Sequence, residues 1–267
     1  MPAIYPARLK KQIADLVDYF DQPTVFVREL HHLLNQYADR VHRYGQSGEP
    51  VPLLNAYKVR SPILRHISQE LDQRAVKYPE DALSLSDALW EEAYLEFKQL
   101  AVSLLGKIPL NPPDHILERI HRWVQDESDT QIIDYVFVYG LSSVWTQDKE
   151  FVMDMIEGWL VDTDVYAKRL GIRALIPIVE DYSYENIPNV FRLIHRLTLT
   201  TPSDLNTDLI ELTTALAKRS PQETAYFLSQ NLSHPESQHT ARLIRKCKNE
   251  FPEDMQDYLL AAVRGIH

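Results

Sequence analysis

Apolar side chains recur at helical spacing throughout this chain, and that single pattern constrains the fold more than any other feature. Tyr94, Phe97, Leu100, Leu104 and Leu105 form one stripe, Ile116, Ile120, Trp123 and Val124 the next, and Ile132, Ile133, Val136 and Leu141 another. Residues three and four apart share a face of a helix, so each stripe marks a helix with one side turned to a core. No segment sustains the alternation that a half-buried strand requires. Prolines punctuate the stripes. Pro62 follows Ser61, Pro112-Pro113 precede DHILERIHRWV, and Pro188, Pro202, Pro221, Pro235 and Pro252 stand at later boundaries. Proline suits the first helical turn, where its missing N–H has no partner to lose, and Ser or Asp supplies the cap. Ser86 reads as such a cap, ahead of DALWEEAYLEFKQLAVSLLG. The pattern predicts about thirteen helices, near 6–20, 24–44, 61–77, 86–105, 112–125, 130–144, 147–161, 163–180, 184–199, 204–219, 221–232, 236–250 and 252–264. The stretch 45–60 is the longest irregular segment.

Helices joined by such short links form a run of antiparallel pairs. Seven glycines in 267 residues argue the same way, because sheets and phosphate-binding folds need glycine at turns and loops. The expected fold is all-α, an α-α superhelix (solenoid) of HEAT-like antiparallel helix pairs with a concave working face. It reads as one domain over 1–267, with 1–20 an additional N-terminal helix. No tetratricopeptide or ankyrin consensus recurs, and degenerate repeats of about 35–45 residues fit best. Trp90, Trp123, Trp145 and Trp159 all fall at apolar helix positions and are expected in the core.

Several functions drop out on composition and motifs. No apolar run reaches the roughly 18 residues that span a bilayer, and MPAIYPARLKKQIADLVDYF has no signal-peptide core, so a cytoplasmic protein that does not touch membranes is expected. The single cysteine, Cys247, has no internal disulfide partner; Arg245, Lys246 and Lys248 beside it would favour a thiolate if it were exposed, whereas a half-buried thiol is inert. GxGxxG, GxxxxGK[ST] and GxSxG motifs are absent. Adjacent His31 and His32 point different ways on a helix, and His115 and His121 are six apart, so neither a metal nor another cofactor is expected. The net charge of −10 opposes a protein that grips nucleic acid with its whole surface, though a local field is set by distribution rather than by the total.

Two constellations remain. In DTQIIDYVFVYGL, Asp129 reads as an N-cap or first-turn acid, whereas Asp134 interrupts an apolar helix start; a carboxylate there faces solvent, a cleft or a partner. The second is a series of cations on successive helices: Lys168, Arg169 and Arg173, then Arg192 and Arg196, then Arg242 and Arg245. Arg169 and Arg173 are four apart and share a face, as do Arg192 and Arg196. In a solenoid these helices could line one basic track. Alternatively the cations are solvated and paired with nearby acids, Asp162, Asp164, Glu180 and Asp181, with Lys168 four residues from Asp164.

Four stretches, in order, resemble the HEAT-like-repeat DNA alkylation repair family, the alkylpurine DNA glycosylases. VRSPILRHIS (59–68) is similar to its early helix start, and LWEEAYLEFKQLAVSLLG (89–106) to the following Trp-then-Glu helix. DTQIIDYV (129–136) resembles the start of the catalytic helix, and WLVDTDVYAKRLGIRALI (159–176) resembles the Trp…Arg helix. The resemblance implies a protein that holds duplex DNA by its phosphates. It also implies excision of cationic alkylated purines, with a carboxylate stabilising the developing oxocarbenium sugar. It assigns that carboxylate to Asp134 and a phosphate contact to Arg169. The family's two cradle tryptophans have no counterpart: Thr130 stands four residues before the acid, and 204–219 holds no tryptophan. Three readings follow: a glycosylase with a rebuilt pocket, a non-catalytic binder of DNA structures, or a scaffold for a protein partner. A monomer is expected in each.

Overall fold

The computed structural model describes residues 6–39, 54–109, 114–125, 127, 129–200, 202–234 and 238–265, and the chain divides into two compact units, Met1–Lys149 and Glu150–His267. Among the described residues the protein is all-α, with no strand; one isolated bridge joins Asn55 and Tyr94. No described helix is long and apolar enough to cross a membrane.

The first unit contains α1 (Pro6–Val17), α2 (Pro23–Tyr37), α3 (Ser61–Lys77), α4 (Pro79–Trp90), α5 (Leu95–Leu105), α6 (Asp114–Gln125), α7 (Thr130–Tyr135), a π-helical turn (Val136–Gly140) and α8 (Ser142–Gln147). Helix α1 packs on α2 and α3, α2 on α4, α3 on α4 and α5, and α5 on α7 and the π turn. Along α1–α5 and α7 alternate helices therefore touch, which is the packing of stacked hairpins in two layers. Their buried faces are the stripes of the sequence: α1 buries Leu9, Ile13, Leu16 and Val17, and α6 buries Ile116, Ile120, Trp123 and Val124. Prolines sit in the first turns of α2, α3 and α4.

The second unit holds α9 (Lys149–Val161, entering across the boundary), α10 (Val165–Glu180), α11 (Ile187–Leu199), α12 (Asn206–Arg219), α13 (Pro221–Leu232), α14 (Gln238–Cys247) and α15 (Glu253–Arg264), with short 3-10 turns before α12 and after α14. Here α10 packs on α12 and α12 on α14, while α11 packs on α13 and α13 on α15. Within each unit this two-layer stacking is compatible with a helical solenoid. Helices α10 and α11 are capped by side chains, Asp164 accepting from the N–H groups of Tyr166 and Ala167, and Asn186 from that of Asn189.

Two expected helices are divided. The helix drawn over 86–105 is two, because Pro79 opens α4 earlier and Glu91–Tyr94 form a turn before α5. The break is held by a distant segment: the N–H of Leu95 donates to the carbonyl of Asn55 at 2.8 Å, and Asn55 bridges Tyr94. Ser86, read as a cap, lies inside α4, fully buried, with its hydroxyl donating to the Leu83 carbonyl at 2.8 Å. The helix drawn over 130–144 passes from α7 through the π turn to α8. Pro112, Pro113 and Pro235 lie outside the described residues.

Gly106, at the end of α5, explains why the π turn seats where it does. A Cβ at this position would run into the Tyr139 carbonyl, and the Ser142 hydroxyl bridges the spot, 2.8 Å from both the Gly106 and the Tyr139 carbonyl oxygens. Backbone cannot yield as a flexible side chain does, so a methyl group here overpacks. By contrast, nothing lies within 4 Å of a Cβ at exposed Gly158 in α9. Gly106→Ala is expected to cost about 3 kcal/mol, whereas Gly158→Ala gains about 0.5–1 kcal/mol from helix propensity. Urea unfolding of the two variants checks the pair, and equal effects would mean that the α5–π contact is not tight.

Candidate functional site

Asp134 is placed by a well-capped helix start. The Asp129 carboxylate accepts from the N–H of Gln131 at 2.9 Å, and the Asp129 carbonyl accepts from Ile132 and Ile133. Asp129 is thus the expected N-cap. With Ile132, Ile133, Val136 and Phe137 buried, the half-buried Asp134 and Tyr135 fall on the flank of α7, immediately before the π turn. Single π turns inside helical segments recur at functional sites, and nothing in the sequence marks this one.

Beside it, in the same unit, lies a cleft of about 580 Å³ between α3 and α5, closed on one side by Tyr135, Tyr139 and Ser142. The Tyr135 hydroxyl is 3.2 Å from that of Ser103, and its ring lies 4.3 Å from the ring of Tyr139. Burial raises the Tyr135 pKa, against the lowering effect of the Ser103 hydrogen bond. Asp72 of α3 also lines the cleft, and its Oδ1 is buried without a hydrogen-bond partner among the described residues. Desolvation raises its pKa, with nearby Lys107 opposing. Sequence reading misses Asp72, since it merely follows Leu71 on the Ile63–Ile67–Leu71 stripe and carries no motif.

The cations of the second unit have distinct surroundings. Arg169 and Arg173 of α10 share a face, as their spacing predicts, and that face meets α12. The Asp208 carboxylate accepts from Arg169 Nε at 3.1 Å and from Arg173 Nη1 at 2.7 Å; Arg173 also reaches Glu211 at 3.1 Å, and Arg169 donates to the Asp204 carbonyl at 2.7 Å. Arg173 is 5% exposed and Asp208 4%. Arg192 makes a two-pronged contact with Glu157 at 2.8 and 2.7 Å, and that hydrogen bond holds the Glu157 carboxyl below its usual range. Lys168 is half-buried, whereas Arg196, Arg242 and Arg245 are exposed, the last two on α14. Of the acids expected to pair with these cations, Asp164 caps α10, Asp162 accepts from the N–H of Asp164, and Asp181 accepts from both the N–H and the hydroxyl of Ser183. The carboxylate partners of Arg169, Arg173 and Arg192 come from other helices, which spacing along one helix cannot reveal.

Trp90 and Trp123 are core residues as expected, stacked 4.5 Å apart and within 6° of parallel, with Lys98 Nζ 3.9 Å above the Trp90 ring. Trp145 and Trp159 are half-buried. Cys247 lies on the inner face of α14, and burial pushes its thiol up to about 11 despite the basic neighbours in sequence. Among the described residues no group of three or more His, Cys, Asp or Glu side chains could hold a metal ion.

The Asp208 pair allows a clean test of what the arginines do structurally. Removing one partner of a buried pair strands the other charge, at about 3–5 kcal/mol, whereas an exposed partner contributes about 0–1 kcal/mol. Asp208→Ala is therefore expected to lower unfolding free energy by about 3 kcal/mol and Glu211→Ala by less than about 1 kcal/mol. Similar losses in urea titrations of the two would show that Arg173 depends on its exposed partner as much as on its buried one.

No curated protein matches the chain in a sequence search. The family model described as DNA alkylation repair enzyme matches residues 32–246, most of the chain, including α7 and α10. The chain belongs to the DNA alkylation repair enzyme family.

Proposed function

We propose that this protein is a DNA alkylation repair-like protein that binds duplex DNA and excises alkylated purines, with Asp134 as the carboxylate facing the lesion sugar. The family membership carries the reading; the capped, half-buried position of Asp134 at the π turn supports its part in it. A cationic alkylated base is already a good leaving group. The chemical demand on the protein is a fixed anion beside the developing oxocarbenium ion, and no strong general acid is needed. Lys168, Arg169, Arg192, Arg196, Arg242 and Arg245 face phosphate, Arg173 braces them, and their shares differ. Exposed Arg242, Arg245 and Arg196 meet phosphate directly, half-buried Arg169 offers its open edge, and Arg173 acts from inside by holding α10 to α12. No cofactor takes part.

A second reading, a non-catalytic scaffold for a DNA structure or a protein partner, is favoured by one specific observation. Arg169, Arg173 and Arg192 are all committed to carboxylates, in a chain whose net charge is −10.

Duplex binding followed by fluorescence anisotropy separates the two. On the repair reading, affinity falls steeply as salt rises, with a log–log slope of about −0.9 per phosphate contacted. Arg242→Ala combined with Arg245→Ala reduces that slope by about 2. Release of free methylated base from alkylated duplex is expected to fall about 100- to 1000-fold in Asp134→Asn, with duplex binding retained. Wild-type release no faster than that of Asp134→Asn removes the excision step; absence of salt-sensitive duplex binding leaves the protein scaffold.

A further inference from the structure

We propose that the cleft between α3 and α5 in the first unit is a nucleotide site, taking a purine nucleotide with the donor edge of guanine toward Asp72 and its phosphate at Arg65 and Lys107.

Three features of the cleft call for different parts of one ligand. Its volume, about 580 Å³, lies within the range of small-molecule sites, roughly 300–1,000 Å³. Asp72 lines it and carries a buried oxygen, Oδ1, that accepts no hydrogen bond among the described residues. A buried acceptor left without a donor is costly, and rotation about a broad terminal torsion presents either carboxylate oxygen to the cleft. The partner it calls for is a donor, and a ligand N–H can supply it. Tyr139, 48% exposed and braced against Tyr135 at 4.3 Å, offers a ring face to a flat heterocycle, and bases stack on such rings whatever their identity. Exposed Arg65 and Lys107 line the same cleft and supply positive charge for an anion.

A flat ring with N–H donors and an attached phosphate is a nucleotide. Guanine presents N1–H and the 2-amino group side by side, two donors for one carboxylate. Adenine and uracil set an acceptor beside each donor on that edge, so a carboxylate meets repulsion as well as attraction. The preference for guanine follows from the acceptor-only character of the ionised Asp72 carboxylate.

This inference deepens the nucleic-acid reading of the protein, yet its test needs neither duplex binding nor excision. Calorimetric titration of the full chain with GMP is expected to show saturable binding, with AMP and UMP about tenfold weaker or more. Asp72→Asn, which replaces an acceptor by a donor, should weaken GMP about 10- to 100-fold and leave thermal unfolding unharmed, because it relieves a desolvated carboxylate. Arg65→Ala with Lys107→Ala should erase the advantage of GMP over guanosine. A short single-stranded oligonucleotide with one guanine distinguishes the source: tighter binding than GMP assigns the site to a nucleotide within a strand, and weaker binding to a free nucleotide, both in keeping with the site. No saturable GMP binding by the folded protein, or equal GMP binding by Asp72→Asn, overturns the proposal. GMP binding without salt-sensitive duplex binding would leave this site standing and remove only the repair reading.

Discussion

The constraint beneath everything else is that helices of this length cannot bury their own apolar faces. Helices of 10–17 residues such as α1–α6 and α9–α15 are marginal alone, and they become stable by burying their apolar stripes against the rest of the stack. A stack built this way has a dense interior and long flanks that carry no packing duty. Those flanks are where polar side chains collect, and Asp134, Asp72 and the exposed arginines all lie on them. The price is that any polar group drifting toward a helix–helix seam must find a partner there, as Arg173 does in Asp208.

That pair illustrates how one residue type serves two ends within a single helix. Arg169 and Arg173 are one turn apart on α10 and use the same carboxylate, but Arg173 is sealed in while Arg169 keeps an open edge. Desolvation makes the inner guanidinium a structural tie whose charge is already balanced; the outer one retains part of its field for solvent or ligand. Counting cations along the sequence assigns both the same weight. Burial separates them.

The helical character of the chain was legible because its cause is local. Stripes such as Ile116–Ile120–Trp123–Val124 and prolines at first turns, Pro62 and Pro221 among them, follow from spacing and from a missing N–H. The Asp129 cap and the shared face of Arg169 and Arg173 were legible for the same reason. What the sequence concealed depends on residues far apart. The turn at Glu91–Tyr94 consists of residues that tolerate helix, and its partners lie far back in the chain: Asn55 bridges Tyr94 and His31 pairs with Glu92. The π turn requires Gly106 of α5 to meet the Tyr139 carbonyl. Asp72 draws its character from the cleft that α3, α5 and Tyr135 enclose together, and no spacing within α3 encodes it. For the candidate site, the residue resembling a family carboxylate could be picked out, whereas the neighbourhood that gives a carboxylate its chemistry could not.

The near-parallel stack of Trp90 and Trp123 has an optical consequence. Two indoles 4.5 Å apart with planes 6° from parallel couple their electronic transitions, so their near-ultraviolet dichroism is that of a pair rather than of two separate rings. Both belong to the first unit, on α4 and α6, while Trp159 belongs to the second. The exciton signal therefore vanishes when those two helices part, whatever the second unit is doing, and the chain carries an intrinsic spectroscopic label for the half that contains Asp134 and the cleft.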